Sequence, residues 1–564
     1  MSRPAPAGAM QPRMSLEDIG RRGVLLLLAL VLLLTTVAPL SVLLAKSFQD
    51  GEGRFAGLAN YLVYFQTPAL FASIHNSLWI AFVSALITVS LAFVFAYALT
   101  RSAMRGKALM RGIALVPLLA PSLLPAIALV YLFGKQGLIK GLLFGASIYG
   151  PIGIVIGEVF WTFPHALIII FTALSMADAR LYEAAQSLGA SRLRIFLSVT
   201  LPGAKYGLIS AFFVVFALVI TDFGVPKVIG GQTNLLATDV YKQVVGQQNF
   251  SMGAVVGMIL LLPALFAFVA ERLVQGKQVA LVSARAVPYH PAPSPVFDLT
   301  MLLLAGVIAA LILAIIGVAA YASFVKLWPY DLGLTLKNYQ FDLMDGGGWQ
   351  AYLNSLTMAF WTALVGTVVI FSGAYLVEKT RGAIWLRGIV QAMAFVPLAV
   401  PGLVLGLAYI FFFNAPGNPL NFLYHGMTIL VISSIVHFYT VSHLTAVTAL
   451  KHLDPEFEAV SASLKVPFYK TFWRVTVPVS LPAILDISIY LFINAMTTVS
   501  AVVFLYSADT RLASVAVLNM DDAGDVAPAA AMAMMIVYTA AGVRILHALA
   551  TRGIARSTQA WKKR

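Results

Sequence analysis

The chain has 564 residues, is 60% hydrophobic and only 11% charged, and carries a formal net charge of +14 and no cysteine. That balance excludes an ordinary soluble globular protein, and the missing cysteine excludes disulfides, Cys-ligated zinc and Cys-ligated iron–sulfur clusters. Excess positive charge fits either a nucleic-acid binder or the positive-inside bias of a multi-span membrane protein, and its distribution along the chain favours the second.

Residues 1–22 are rich in Pro and Ala, end on Arg21-Arg22, and are expected to be a disordered segment. The apolar run 23–44 is the first candidate span. A signal peptide is the competing reading, but the run is too long and no small-residue cleavage site clearly follows. Further spans are expected at 73–100, 113–133, 152–174, 207–229 and 253–269. The second half offers 299–324, 353–377, 390–413, 428–450, 484–505 and 529–549, which brings the expectation to twelve. With both termini cytoplasmic, most of the 37 Lys and Arg fall on the cytoplasmic side. The far side holds few, among them Lys46, Lys135, Lys227 and Lys326.

The chain repeats itself at a displacement of 276 to 280 residues. Asn76-Ser77-Leu78 returns as Asn354-Ser355-Leu356, and Arg111-Gly112 as Arg387-Gly388. Val116-Pro117 with Pro121 returns as Val396-Pro397 with Pro401. Six spans per copy is an even number, so both copies point the same way.

A polar island, residues 176–202, interrupts the apolar runs of the first copy. Asp178 is a good N-cap, because its carboxylate can accept from the free amides of a first helical turn. Leu181, Ala184, Ala185 and Leu188 recur at helical spacing and make one apolar face. Gly189 ends the helix, since it adopts the left-handed conformation that other residues resist. The stretch 191–199 forms a second short helix carrying Arg192 and Arg194, and Pro202 opens the next span.

The order Glu183-Ala184-Ala185, Gly189, Phe196 and Leu201-Pro202 resembles the EAA loop of binding-protein-dependent ABC importer permeases. The resemblance implies that Glu183, Ala184, Ala185, Leu188 and Gly189 belong to a coupling helix seated in a groove of a cytoplasmic ATPase. An amphipathic helix lying on the lipid surface is the alternative. The second island, 454–478, departs from the pattern. Ala459 stands where Glu183 does, Glu458 lies one residue earlier, Leu464 matches Leu188, and Lys465 replaces Gly189. Asp454-Pro455 opens a helix there. The break after it is expected to survive because Pro467 disfavours helical geometry at Val466.

On this resemblance the fold is all-α and polytopic, two parallel six-helix halves of a type I importer. The expected domains are a cytoplasmic segment 1–22, a first half 23–273 with its core at about 73–273, and a linker 274–297. A second half 298–550, with its core at about 350–550, and a basic tail 551–564 follow. The chain would bind no cofactor itself. ATP and Mg would be used by a separate ATPase homodimer, and a periplasmic solute-binding protein would deliver the cargo. The lipid bilayer is the third partner, in a bacterial inner membrane with both termini cytoplasmic. Resemblance narrows the cargo to the ferric iron, thiamine and 2-aminoethylphosphonate group. The stretches 182–196 and 220–248 look most like the 2-aminoethylphosphonate members.

No phosphate-cradling motif occurs: Gly106-Lys107 and Gly276-Lys277 lack the spaced Gly and the following Ser or Thr. No HExxH and no compact Ser/His/Asp set is present, so a membrane enzyme lacks a catalytic group. His165 and His437 are expected to hydrogen-bond to neighbouring helices rather than to bind metal. Glu158 inside the fourth span and Asp222 at the end of the fifth are candidates for the translocation path. For Glu158, a carboxyl that locks helices together is the competing reading. An ion-coupled secondary transporter is the rival class, but it predicts more buried charge and no paired polar loops.

Overall fold

The computed structural model describes residues 16–281, 287–380, 382–454 and 456–558. Residues 1–15 of the N-terminal segment, 282–286 of the linker, Pro455, Arg381 and 559–564 of the tail lie outside the described residues.

The first half opens with α1 (Leu16–Leu32), a π-helical turn (Leu33–Val37) and α2 (Ala38–Ser47). Then come α3 (Ala59–Gln66), α4 (Pro68–Arg101), α5 (Lys107–Ala114), α6 (Leu123–Phe133) and α7 (Pro151–Ser175). The polar island holds α8 (Ala179–Ser187) and α9 (Arg192–Ile195). The half closes with α10 (Leu201–Thr221), α11 (Gly224–Ile229), α12 (Leu236–Tyr241) and α13 (Phe250–Leu281). The second half repeats this with α14 (Pro295–Ala322), α15 (Gly348–Lys379), α16 (Ile384–Ala399), α17 (Gly402–Phe413), α18 (Met427–His437) and α19 (Tyr439–Lys451). Its island holds α20 (Glu456–Ser463) and α21 (Phe468–Thr471), before α22 (Val477–Val479), α23 (Leu481–Thr497), α24 (Ala513–Ala523) and α25 (Val526–Thr558). A small antiparallel hairpin, β1 (Val325–Leu327) and β2 (Asp331–Leu334), follows α14 and is an addition to the helical expectation.

Among the described residues, eight helices are long and apolar enough to cross a bilayer, and four bent pairs raise this to twelve if each pair is one span. The bends correct the straight spans expected at 113–133 and 390–413. These break by 103° and 115°. Pro121 and Pro401 are the cause: the residue before a proline is pushed out of the helical region, and Ala120 and Val400 are both extended. The spans expected at 207–229 and 484–505 also stop short, at Thr221 and Thr497. Asp222 and Thr498 then turn extended. Asp222 stabilises its turn by accepting from Val225 N at 2.8 Å, which starts α11. Composition alone shows none of these turns, because the residues on both sides are equally apolar. The linker expected from residue 274 begins later, since α13 runs on to Leu281 through residues that favour helix.

The lead span of each half packs against the other half. α1 and α2 lie on α16 and α17, while α14 lies on α4, α5 and α6. The two halves also meet through Lys227 and Asp522, whose charges approach to 2.9 Å. Beside them Tyr241 stacks with Phe504, their ring centroids 6.1 Å apart.

One interhalf bond follows directly from sequence chemistry. Pro39 has no N–H, so the carbonyl four residues back, Thr35, loses its helical donor. The fully buried Tyr409 of α17 donates its hydroxyl to that oxygen at 2.7 Å. Tyr409→Phe should leave the carbonyl unpaired and destabilise the purified protein by about 1–3 kcal/mol. Pro39→Ala restores the missing N–H, so adding it to Tyr409→Phe should recover most of the loss. Thermal unfolding of the four proteins of this cycle in one detergent checks it; equal losses with and without Pro39 would contradict the account.

Candidate functional site

In the first polar island the helix forms as its residues dictate. Asp178 Oδ1 accepts from Arg180 N at 3.1 Å and caps α8. At the other end Gly189 takes φ +71°. Gly189 N donates to Gln186 O at 2.9 Å and Ala190 N to Ala185 O at 3.0 Å. That bond pair is a Schellman closure. The apolar face faces away from the bundle: Leu181 is 60% and Leu188 87% exposed. Glu183 and Ala184 are exposed beside them, and Ala185 is half-buried. Large apolar side chains left uncovered together on a polar loop mark a contact surface, for another protein or for the membrane.

The second island is built on the same plan with different parts. Asp454 Oδ1 accepts from Glu456 N at 2.9 Å, as Asp178 does in the first copy. Val466 before Pro467 is non-helical as expected, and the break also uses Lys465, which itself adopts φ +51°. Val466 N donates to Ser461 O at 2.9 Å, repeating the closure around a non-glycine residue. Lys465 therefore does the work of Gly189 at a backbone cost that glycine avoids. Leu464 is 70% exposed, like Leu188, and Ala459 is exposed. Glu458 does not replace Glu183. It occupies the place of Tyr182 and turns inward to Lys379, 3.2 Å away.

The short helix after each break also differs in its cap. Ser191 Oγ accepts from Arg194 N at 3.3 Å. Pro467 stands at the matching position and has no side-chain acceptor. Glu17 of α1 supplies one, accepting from Phe468 N at 2.8 Å, while Arg21 of the same helix lies 4.7 Å over the Phe468 ring. Both islands then enter the membrane through a π-helical turn, Phe196–Thr200 and Phe472–Thr476, just before the Leu201-Pro202 and Val477-Pro478 pairs. Phe196 packs on Tyr97 and Phe93, and Phe472 on Tyr375 and Phe371. These aromatic trios, and Arg101 and Lys379 at the ends of α4 and α15, were missed by sequence reading. The repeat register could have found them, since 93, 97 and 101 map onto 371, 375 and 379.

Between the halves lies a cavity of about 350 Å³. Both broken spans contribute their corners, and α7, α10, α13 and α23 supply walls. Asp222 lines it together with Trp161, His165, His437, Tyr490 and Asn494. The two histidines thus face the cavity, which corrects the expectation that they serve neighbouring helices. Glu158 is fully buried and stands behind this lining in the neighbourhood of Asp222, with neither carboxyl oxygen hydrogen-bonded among the described residues. In the second half the matching positions are Ser434 and Thr498, so the acidic pair belongs to one side only.

The sequence model of the family described as "Binding-protein-dependent transport system inner membrane component" matches residues 89–278 and 370–556. The chain is 28% identical to the ferric transport system permease protein FbpB of Actinobacillus pleuropneumoniae over 91% of this chain and 76% of that protein. It is 23% identical to the Fe(3+)-transport system permease protein FbpB 2 of Haemophilus influenzae over 67% of this chain and 74% of that protein. Among solved structures, a bacterial alginate ABC transporter in complex with an alginate pentasaccharide-bound periplasmic protein aligns with TM-score 0.40 and 16% identity. That alignment covers 48% of this chain and 97% of the other.

The two helix breaks make opposite predictions. A Cβ on Gly189 would meet nothing within 4 Å, so only its φ opposes substitution. Gly189→Ala should destabilise the end of α8 by about 1 kcal/mol, and Lys465→Gly should stabilise the end of α20 by a similar amount. Amide exchange in α8 should quicken and that in α20 should slow, each about fivefold. Unchanged exchange at Lys465→Gly would mean that its backbone is not under strain.

Proposed function

Because the chain belongs to the family of binding-protein-dependent transport system inner membrane components, we propose that it is the whole translocation pathway of one ATP-driven importer in a single polypeptide. It is an ABC importer permease with an internal duplication, and the family is one of transport, not catalysis. In this reading two ATPase subunits dock at α8 and α20 and hydrolyse ATP with Mg, and the chain itself binds no cofactor. A periplasmic binding protein delivers the solute at the opposite face of the inner membrane. Both termini lie in the cytoplasm. The carrying observation is that each matched half presents one capped, outward-facing apolar helix directly before a cavity-lining span.

The docking surface is Leu181, Glu183, Ala184 and Leu188 in the first loop and Ala459, Val460 and Leu464 in the second, all exposed. Small residues let such a helix approach a groove closely, and Gly189 and Lys465 set its exit angle. Residues on α7 and α10 such as Trp161 and Phe213, and Asp222 just beyond α10, wall the path.

For cargo, 2-aminoethylphosphonate is the first reading. The stretch 220–248 that resembles permeases for that compound supplies Asp222 and Gly224 to the cavity. Ferric iron is the second, favoured by the names of relatives aligned over 91% and 67% of the chain. In either case the binding protein carries most of the selectivity.

Purified alone, the chain should hydrolyse no ATP, and co-expression with its ATPase should yield one permease with two ATPase chains. Deletion of the gene should stop uptake of 2-aminoethylphosphonate and leave phosphate uptake intact. Loss of ferric uptake with 2-aminoethylphosphonate uptake unchanged would replace the first cargo by the second. ATP hydrolysis by the chain alone would reject the permease assignment.

A further inference from the structure

Arg101 ends α4 and is only 7% exposed, in a region where the neighbouring loops face solvent. Its Nη2 donates to Leu174 O, in the last turn of α7, at 2.8 Å. Its Nε donates to Tyr182 Oη, on α8, at 3.2 Å, and its Nη1 approaches Thr100 O at 3.4 Å. The guanidinium lies over the Tyr182 ring at 5.1 Å and the Tyr289 ring at 4.9 Å. Those two rings are themselves 4.5 Å apart. Tyr182 passes the contact on, donating its hydroxyl to Thr200 Oγ1 at 3.1 Å, one residue before α10. Tyr289 sits just beyond Val287, whose carbonyl accepts from Ala179 N at 2.9 Å. One buried cation thus joins the ends of α4 and α7, the inner face of α8, the entry to α10 and the strand leading to α14.

Only a planar fork with five donors can make such a junction; an ammonium is a compact point charge. In the second half the matching residues are Lys379 and Glu458, which make one partly exposed ion pair at 3.2 Å. The first loop is therefore held to its bundle through the buried inner face of α8, whereas the second is held by one ion pair on α20 and by Glu17 and Arg21 of α1 on α21. The elements locked to α8 include α7 and α10, which carry Trp161, His165, Phe213 and Asp222 into the cavity wall.

We propose that Arg101 is the positioning residue that passes an ATPase-driven displacement of α8 to α7 and α10, so that the first loop moves the cavity wall more directly than the second. This rests on the importer reading. Arg101 touches neither solute nor ATP, and acts through Tyr182.

The test uses the complete complex with its ATPase subunits and solute-loaded binding protein, in lipid nanodiscs. ATP hydrolysis is measured over a range of ATP concentrations, with and without the binding protein. Stimulation of the unmodified complex belongs to the importer reading; a change in that stimulation belongs to Arg101. Arg101→Lys keeps the charge and loses the fork. It should assemble, keep the KM for ATP, and lower the ratio of stimulated to basal turnover about fivefold or more. Tyr182→Phe keeps the ring and loses both hydrogen bonds, and should lower the ratio less. The double variant should fall no further than Arg101→Lys alone, because the two act in series. An unchanged ratio in an assembled Arg101→Lys complex overturns the proposal, as does simple additivity. If Arg101→Lys fails to assemble, the ratio in Tyr182→Phe decides in the same two directions. If neither assembles, Arg101 serves folding alone and the proposal fails.

Discussion

Inside a bilayer a backbone carbonyl that has lost its helical donor finds no water to replace it. The irregular features of this chain sit where that loss is made good. Pro39 frees Thr35 O, and Tyr409 from the other half pairs it. Pro121 and Pro401 break two spans outright, and the broken corners open on the cavity, where irregular backbone is tolerated. Asp222 ends α10 and pairs at once with Val225 N, so the turn at the cavity wall is closed by a side chain. Close packing holds these corners: a Cβ on Gly402 would lie 2.4 Å from Ser500 Oγ, and one on Gly224 2.2 Å from Ser122 Oγ.

Fusion of two copies removes the constraint that equal subunits impose. In a homodimer both coupling loops must be identical; here each position has diverged alone. Lys465 stands where Gly189 does and shares its left-handed backbone. Ser191 became Pro467, and the cap moved to Glu17, more than four hundred residues away in sequence. Glu458 stands where Tyr182 does, with an ion pair in place of a cation lying over two adjacent rings. Each replacement preserves the shape of the loop and changes how firmly it is held.

The exchange of lead spans explains why such divergence does not split the molecule. α1 and α2 are the covalent start of the first half and the packing partners of the second, and α14 is the reverse. Glu17 can cap α21 only because of this exchange. The linker completes it, running beside Asp178 and Ala179 before it enters α14.

Much of the architecture was legible in the chain. Bilayer-length apolar runs, the polar islands and the 276- to 280-residue repeat follow from composition and spacing, and the likeness of the first island to an EAA loop from family resemblance. Gly189 and Asp178 were readable for the same reason, since caps act within four residues. What the sequence left open depended on partners distant along the chain. Lys465 reads as a lost glycine until its φ is known. Glu458 reads as a displaced Glu183 until Lys379 is placed beside it. Arg101 reads as an ordinary basic flank until Tyr182, Tyr289 and Leu174 O surround it. The sequence by itself determined that apolar runs of bilayer length recur and that their pattern is repeated once along the chain. Only the tertiary structure decided which spans break, which half each lead span serves and how each loop is held. Those choices rest on long-range contacts, which hydropathy and helical period do not encode.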